Sequence, residues 1–593
     1  MEIYAEICTG SGWESAVTEA PDSLTHYIKN GYIHTDMRHY LGYIDDAIKS
    51  NWNNPALTNY GGSTFTYGDV ASGIAKYHIL FEKCNIGKGD KIALCGKNSA
   101  EWCIAYLAVL TYDAVAVPLL PDFLPKNVVE LTRISDSKLI MVDDAIMTSF
   151  RRHNVAADFA EIENFGAIIN VNGIKIMPES NNLPSGIEEE TEKIFSTRYP
   201  GGVTPKRVNY ERSNLDALAV ISFTSGTSSS PKGVMIPARA ISANLEFARK
   251  EMEAEPGWAI LSILPLAHMF GQAFDFIFPF SKGCHIYIFT VKPTPARLLA
   301  ALAEVKPFMF LTVPLVIEKV FRSKVMPMLE KPVMRFLMHI PGIKGILLKK
   351  IRTKLVDTFG GNVGIGGLIL GGAALNKEVE ELMHEMKFPY LVGYGMTECA
   401  PLIGYKRWQE FAIRSCGAVA RPSVEVRIDS ENPAEVPGEI QVHGDAVMVG
   451  YYKNEKATRD VFTDDGWLKT GDMGTMDAAG NMYIRGRCKN MILTANGQNI
   501  YPEEIEDMIN QLPYVTESLV VGRKHALVAL VVANYDASGE AGLDEEKINK
   551  EIENSVLALN KELPSYSQIT QCEIRKEPFE KTPKLSIKRF MYK

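Results

Sequence analysis

The stretch "FTSGTSSSPKGVMI", Phe223 to Ile236, sets seven hydroxyl- or glycine-bearing residues in a row ahead of Pro231-Lys232-Gly233. Small side chains let backbone N–H groups and hydroxyls close around an anion, and Lys232 adds a point charge at the rim. Phosphate oxygens suit such a loop. The order is not GxxxxGK[ST], and a solvated Ser/Gly turn between strands fits the segment equally well. "GYGMTE", Gly393 to Glu398, offers a glycine-lined turn, the Thr397 hydroxyl and a hard Glu398 oxygen suited to Mg²⁺. Read alone it is a Tyr-Gly turn with a helix-capping threonine. "KTGDMG" puts Asp472 in a glycine-flanked turn, where a carboxylate can bond a ribose diol in bidentate fashion. "GRCKNMILTANGQNIYPEEIE", Gly486 to Glu506, joins a Gly-Arg step to a second glycine loop and a helix start.

These segments need a scaffold, and the first part of the chain describes one. "DKIALCG", "AVAVPL", "KLIMVDD" and "ALAVISF" read as buried strands. "NSAEWCIAYLAVLTY" lies between the first two and reads as a helix capped by Asn98 or Ser99. Strand, helix, strand at this spacing predicts a parallel α/β sheet. The pattern continues through "AILSIL", "CHIYIF", "FMFLTV" and "GLILGG". After Arg421 the strands shorten and turn more polar, as expected for an antiparallel, barrel-like subdomain. The last hundred residues form their own set: a helix opened by Pro502, the strands "ESLVVG" and "ALVALVVA", and a long helix from "EKINKEIENSV". The boundary falls at "RGRCKN".

At 593 residues the chain is too long for one core. Apolar residues at 46% and charged residues at 23% are ordinary for a folded protein. A formal charge of −8 argues against nucleic acid as main partner. Nine scattered cysteines without a CxxC pair predict neither a zinc site nor a disulfide framework, and fit a reducing, cytoplasmic setting. "MEIYAEICTGSGW" has no basic start or long apolar core, so no secretory leader is expected.

Taken together and in this order, the four segments resemble the adenylate-forming superfamily, which includes acyl-CoA synthetases, adenylation domains of peptide synthetases and beetle luciferases. The resemblance runs from about Phe65, where "FTYGDV" is similar to the first core motif, to the C-terminus. "LPLAHMFG" and "GQNIYPEEIE" are most similar to the long-chain fatty acid–CoA ligases. The resemblance implies an α/β fold with three parts. These are a large N-terminal domain of parallel or mixed sheets with helices (1–486, carrying the barrel-like subdomain), a hinge (487–490), and a small mobile α+β C-terminal domain (491–593). It implies that Thr224, Ser225, Gly226, Thr227 and Lys232 hold the β- and γ-phosphates of ATP. Gly371, Gly372 and Ala373 would line the adenine, with Tyr394 and Gly395 beside it. Thr397 would touch the α-phosphate, Glu398 would bind Mg²⁺, Asp472 would hold the ribose, and Arg487 would also reach the nucleotide. Lys489 matches the hinge, Gly497 the CoA channel, and His268 a histidine near the acyl site, though a core histidine at a helix start fits that position equally well. The activity implied is conversion of a fatty acid to its adenylate and then to acyl-CoA. A ligase delivering to a carrier protein and a non-catalytic nucleotide- or acyl-binding relative remain alternatives. No carrier domain is expected downstream of the small domain, which favours free CoA.

Two features depart from the pattern or add to it. The tail "FEKTPKLSIKRFMYK" aligns with TPxGKIxR so that Ser586 stands where the family has a catalytic lysine. Lys584 and Lys588 flank it, and Lys588 is the expected substitute. "KPVMRFLMHIPGIKGILLKKIRTKLV", 331–356, holds seven basic residues and no acidic one, interleaved with large apolar side chains. Two readings stand for it: an ordinary basic helical surface, or an interfacial segment lying on the inner face of a membrane.

Overall fold

The computed structural model describes residues 37–592, apart from 225–230, 292–293, 341, 494–498, 524–525, 536–543 and 582–586. Among the described residues an eight-stranded sheet forms the largest layer. Its order is Gly450–Tyr451, Lys232–Pro237, Leu218–Thr224, Val115–Leu119, Lys91–Cys95, Ser137–Val142, Ala167–Asn170 and Lys175–Asn181. The centre is parallel and the outer pairings are antiparallel. Val115–Leu119 is buried throughout, as strands covered on both faces are. The helix Ala100–Thr111 is capped by the Ser99 side chain, which accepts from the Trp102 amide, and it is buried at all but one position. That explains why its sequence is apolar all round rather than striped. "FTYGDV" becomes a strand end and the start of the helix Tyr67–Lys83, closed by a reciprocal Thr66–Asp69 capping box.

The strands that read as one continuing pattern divide among three sheets. His285–Ile288 pairs in parallel with Ala259–Ser262 on one edge and with Pro55–Asn59 on the other. Met309–Thr312, Gly367–Leu370 and Tyr390–Val392 make a third parallel set. The polar strands after Arg421 pair antiparallel, in the order Glu425–Asp429, Gly438–His443, Leu468–Met476, Met482–Arg487. One local expectation is corrected here. Asp472 lies within the strand Leu468–Met476, not in a turn. The glycines beside it serve irregularities of the ladder, with Gly471 at φ +72° and a register shift at Met473/Gly474.

The C-terminal residues build a core of their own. Ile500, Ile505, Ile509, Val531, Ile548 and Ile552 pack together, apart from the main cluster, which ends at Met482. Polar contacts cross between the two parts: Arg322 donates to the Asn510 carbonyl at 3.1 Å, and Arg485 lies 3.4 Å from Glu504. No described helix is long and apolar enough to cross a membrane.

Candidate active site

The phosphate-loop candidate is a hairpin. Leu218–Thr224 leads in and Lys232–Pro237 leads out, paired antiparallel with Thr224 opposite Lys232. Ser225, Gly226 and Thr227 lie outside the described residues. Lys232 opens the outgoing strand instead of standing free in the loop. Its Nζ sits 4.7 Å above the ring centroid of Tyr451, which is on the strand paired to the other edge of Lys232–Pro237. The Tyr451 hydroxyl donates to Glu398 Oε1 at 2.9 Å, and the Met448 amide donates to the Glu398 carbonyl at 2.8 Å. Three segments far apart in sequence therefore meet in a line: lysine, aromatic ring, carboxylate. Burial first, and the neighbouring carboxylate second, raise the pKa of Tyr451, so it stays a donor. Sequence reasoning missed Tyr451. A tyrosine after a glycine carries no local signal, and its role exists only through strand pairing.

A second cluster forms around Asp472, which is buried. The Tyr394 hydroxyl donates to its Oδ2 at 2.7 Å, and Arg487 Nε lies 2.8 Å from Oδ1. Burial raises the Asp472 pKa while the Arg487 charge and the Tyr394 hydroxyl oppose the rise. Each carboxylate oxygen has a second lone pair, so a diol can still be accepted at either.

The glycine segments lie at the ends of the third parallel sheet. Gly371 donates to the Thr312 carbonyl at 3.3 Å, and Gly393 donates to the Leu370 carbonyl at 2.8 Å. A Cβ at Gly372 (φ +85°) would meet nothing within 4 Å, and Ala373 beside it is exposed. This open, side-chain-free edge lets a flat ligand approach the backbone. A Cβ at Gly395 would stand 2.1 Å from the Pro401 carbonyl oxygen, so the close turn that presents Thr397 and Glu398 demands glycine. A Cβ at Gly371 would come to 3.0 Å from the Phe270 ring, two residues beyond His268. His268 is half-buried, and its Nδ1 accepts from the Phe270 amide at 3.3 Å. The π-helix Gly271–Ile277 follows directly, and such helices concentrate at functional sites.

Among the described residues no cluster of three or more His, Cys, Asp or Glu could cage a metal. Glu398 alone is the donor set expected for Mg²⁺ carried in on phosphates, since that ion keeps waters and takes one or two carboxylates plus substrate oxygens. The residues present fit Mg²⁺ in that form. Gly497 and Ser586 lie outside the described residues. Lys489 is exposed in the short 3₁₀ turn Cys488–Asn490. Lys588 is not drawn to Glu398 or Thr397. It pairs with Glu580 at 3.1 Å, while the neighbouring Arg589 pairs with Glu506 and, at 3.7 Å, with Glu503.

One further group lies beside the candidate acyl region. Asp275, fully buried on the π-helix, accepts from the Ile263 and Leu264 amides at 3.2 and 3.1 Å. Burial pushes its pKa up to about 7. A lone acidic letter in "GQAFDFIF" gave no sign of this.

A family model described as AMP-binding enzyme matches residues 44–452, and one described as AMP-binding enzyme C-terminal domain matches 489–592. A long-chain-fatty-acid–CoA ligase of Rattus norvegicus is 27% identical over 84% of this chain and 77% of its own length. A 4-coumarate–CoA ligase of Humulus lupulus is 26% identical over 87% of each. A crystal structure of an anthranilate CoA ligase with anthranoyl-AMP superposes with a TM-score of 0.72 at 17% identity, covering 94% of this chain and 96% of that one.

Proposed function

This chain belongs to the AMP-binding enzyme family, within the adenylate-forming superfamily, and from that premise we propose that it ligates a long-chain fatty acid to CoA at the expense of ATP. The observation that carries the reading is the line Lys232–Tyr451–Glu398, which sets a cation and a metal-competent carboxylate on either side of one ring. A carboxylate and a triphosphate repel, so their reaction needs fixed cations and donors at the phosphates. In the first step a carboxylate oxygen bonds the α-phosphorus and the bond to pyrophosphate breaks, giving acyl-adenylate. In the second the CoA sulfur bonds the acyl carbon, the bond to AMP breaks, and the thiol proton leaves to solvent.

We assign Thr224, Ser225, Gly226, Thr227 and Lys232 to the β- and γ-phosphates. Gly371, Gly372, Ala373, Tyr394 and Gly395 take the adenine, Thr397 the α-phosphate, and Asp472 with Arg487 the ribose. Mg²⁺ held by Glu398 would neutralise phosphate charge. His268 borders the acyl group, and Gly497 the CoA channel. An apolar acid is supported by a small, mostly apolar cavity of about 20 Å³ that begins at Met269, next to His268, and is lined by Tyr106, Leu110, Leu245, Phe274 and Ile277. It also touches Ala400, two residues past Glu398. That volume holds about one water, so a chain enters by displacing side chains.

Residues 1–486 form the first domain, 487–490 the hinge about Lys489, and 491–593 the part that turns between half-reactions. The separate cores support this division. For Lys588 to act in place of Ser586 it must leave Glu580. An ion pair this exposed holds it by no more than about 1 kcal/mol, so rotation can release it. The relatives' acids span fatty, coumaric and anthranilic, so the test is pyrophosphate release with a panel of fatty and aromatic acids, with and without CoA. Release with fatty acids, and thioester formed only with CoA, is expected. Preference for an aromatic acid would overturn the substrate, adenylate without thioester would favour a carrier-protein ligase, and no release at all would favour a non-catalytic binder. We place the protein in the cytoplasm, against the inner face of a membrane.

A further inference from the structure

We infer that the crossover 313–366 docks on an anionic phospholipid surface, with Val333, Phe336 and Ile346 as the side chains that enter it. The crossover joins two strands, Met309–Thr312 and Gly367–Leu370, that are immediate parallel neighbours. Such a connection needs about a dozen residues and one helix. This one carries four α-helices, Pro314–Val320, Met326–Glu330, Pro332–Met338 and Ile343–Thr358. Pro332–Met338 buries none of its residues, and Val333 and Phe336 are 70% and 69% exposed. Ile343–Thr358 buries Leu348 and Leu355, while Ile346 is 60% exposed.

The cations stand among these side chains. Lys331 and Arg335 flank Val333 and lead to Phe336, and Lys344, Lys349, Lys350, Arg352 and Lys354 share the next helix with Ile346. Among the described residues, Lys344 is the one of the seven in an ion pair, with Glu385. An ordinary solvated helix turns its apolar residues inward and pairs its cations with acids one turn away. Here the apolar residues divide, Leu348 and Leu355 turned inward and Val333, Phe336 and Ile346 outward, and among the described residues six of the seven cations have no ion pair, in a chain whose formal charge is −8. Exposed phenylalanine and branched aliphatics between unpaired cations are what an interfacial segment presents to lipid headgroups. A nucleic acid would engage the cations and leave Phe336, Val333 and Ile346 in water, so lipid is the better match.

The location suits the proposed chemistry, on which the purpose of the surface rests, although its existence does not. The two strands joined by the crossover end at Thr312 and Leu370, and Gly371, the residue after the second, donates to the Thr312 carbonyl at the proposed adenine edge. A protein docked here would hold its site beside the phase in which a fatty acid dissolves.

The test is co-sedimentation of the full chain with phosphatidylcholine vesicles, with and without phosphatidylglycerol, without ATP, acid or CoA. Binding to the phosphatidylglycerol vesicles, weakening as salt rises, is expected. The triple variant Lys349→Gln, Lys350→Gln, Lys354→Gln should bind about 100-fold more weakly. Phe336→Ser should weaken binding several-fold at both low and high salt. All four positions are exposed, and pyrophosphate release in free solution checks that each variant is folded. Equal binding to both vesicle types, an unaltered triple variant, or capture of duplex DNA in preference to vesicles would overturn the inference. Vesicle binding without pyrophosphate release would leave the surface standing and remove the ligase reading; release without vesicle binding would do the reverse.

Discussion

Replacing Tyr451 with phenylalanine removes one hydroxyl and keeps the ring under Lys232. The hydroxyl donates to Glu398 Oε1 at 2.9 Å, and Glu398 is 8% exposed. A hydrogen bond to a charged group contributes about 1.5–3 kcal/mol, and a buried carboxylate that loses its donor gains no water in return. At 1.4 kcal/mol per tenfold, that is about 10- to 150-fold. Partners that orient a metal ligand cost a similar 10–100-fold when mutated. The change should appear in the Mg²⁺ concentration giving half-maximal pyrophosphate release, with KM for ATP moved little because the cation–π contact survives. Tyr451→Leu, which also removes the ring, should raise KM for ATP as well. In a Glu398→Gln background the Tyr451→Phe change should cost much less, because the two substitutions break the same contact. The reasoning is refuted if Tyr451→Phe titrates with Mg²⁺ like the parent while Glu398→Gln does not.

Other outcomes follow from single residues. Asp275 has its pKa raised by burial to about 7. The native state thus holds this proton more tightly than the unfolded chain, and its contribution to stability, present at about pH 4, is lost as pH rises through 7. Urea midpoints for Asp275→Asn should lack this part of the fall; parallel curves would remove the assignment. Gly395→Ala forces a Cβ to 2.1 Å from the Pro401 carbonyl and should destabilise far more than Gly372→Ala, which meets nothing and costs about 1–2 kcal/mol for its positive φ. Equal thermal shifts would contradict that contrast. Lys588→Ala should slow adenylation while leaving thiolation of supplied acyl-adenylate and the melting temperature unchanged, because its partner Glu580 is exposed; equal slowing of both half-reactions would deny it the catalytic place.

Much of the scaffold was legible in local order. Apolar runs of four to seven residues became the buried strands, "NSAEWCIAYLAVLTY" became a helix capped by Ser99, and Pro502 opened the helix expected of it. These follow from propensity, capping and burial acting over a few neighbouring residues. The glycine-rich segments were visible for the same reason, since a tight approach of backbone to backbone or ligand excludes other residues. Gly395 against Pro401 shows the exclusion directly.

What only the tertiary structure decided is the pairing of distant segments. Nothing near Lys232 announces Tyr451, because antiparallel pairing of Lys232–Pro237 with Gly450–Tyr451 is what stacks them. Asp472 read as a turn residue because glycines flank it, yet pairing with Met482–Arg487 holds it in a strand and sets Arg487 opposite. In the basic segment 331–356 the outward setting of Val333, Phe336 and Ile346 is likewise a product of the fold. Sequence carries periodicity and steric demand, which are local. Strand partners, ion pairs and exposure depend on which surfaces the whole chain finds for one another, and that is set by the sum of many weak contacts across it.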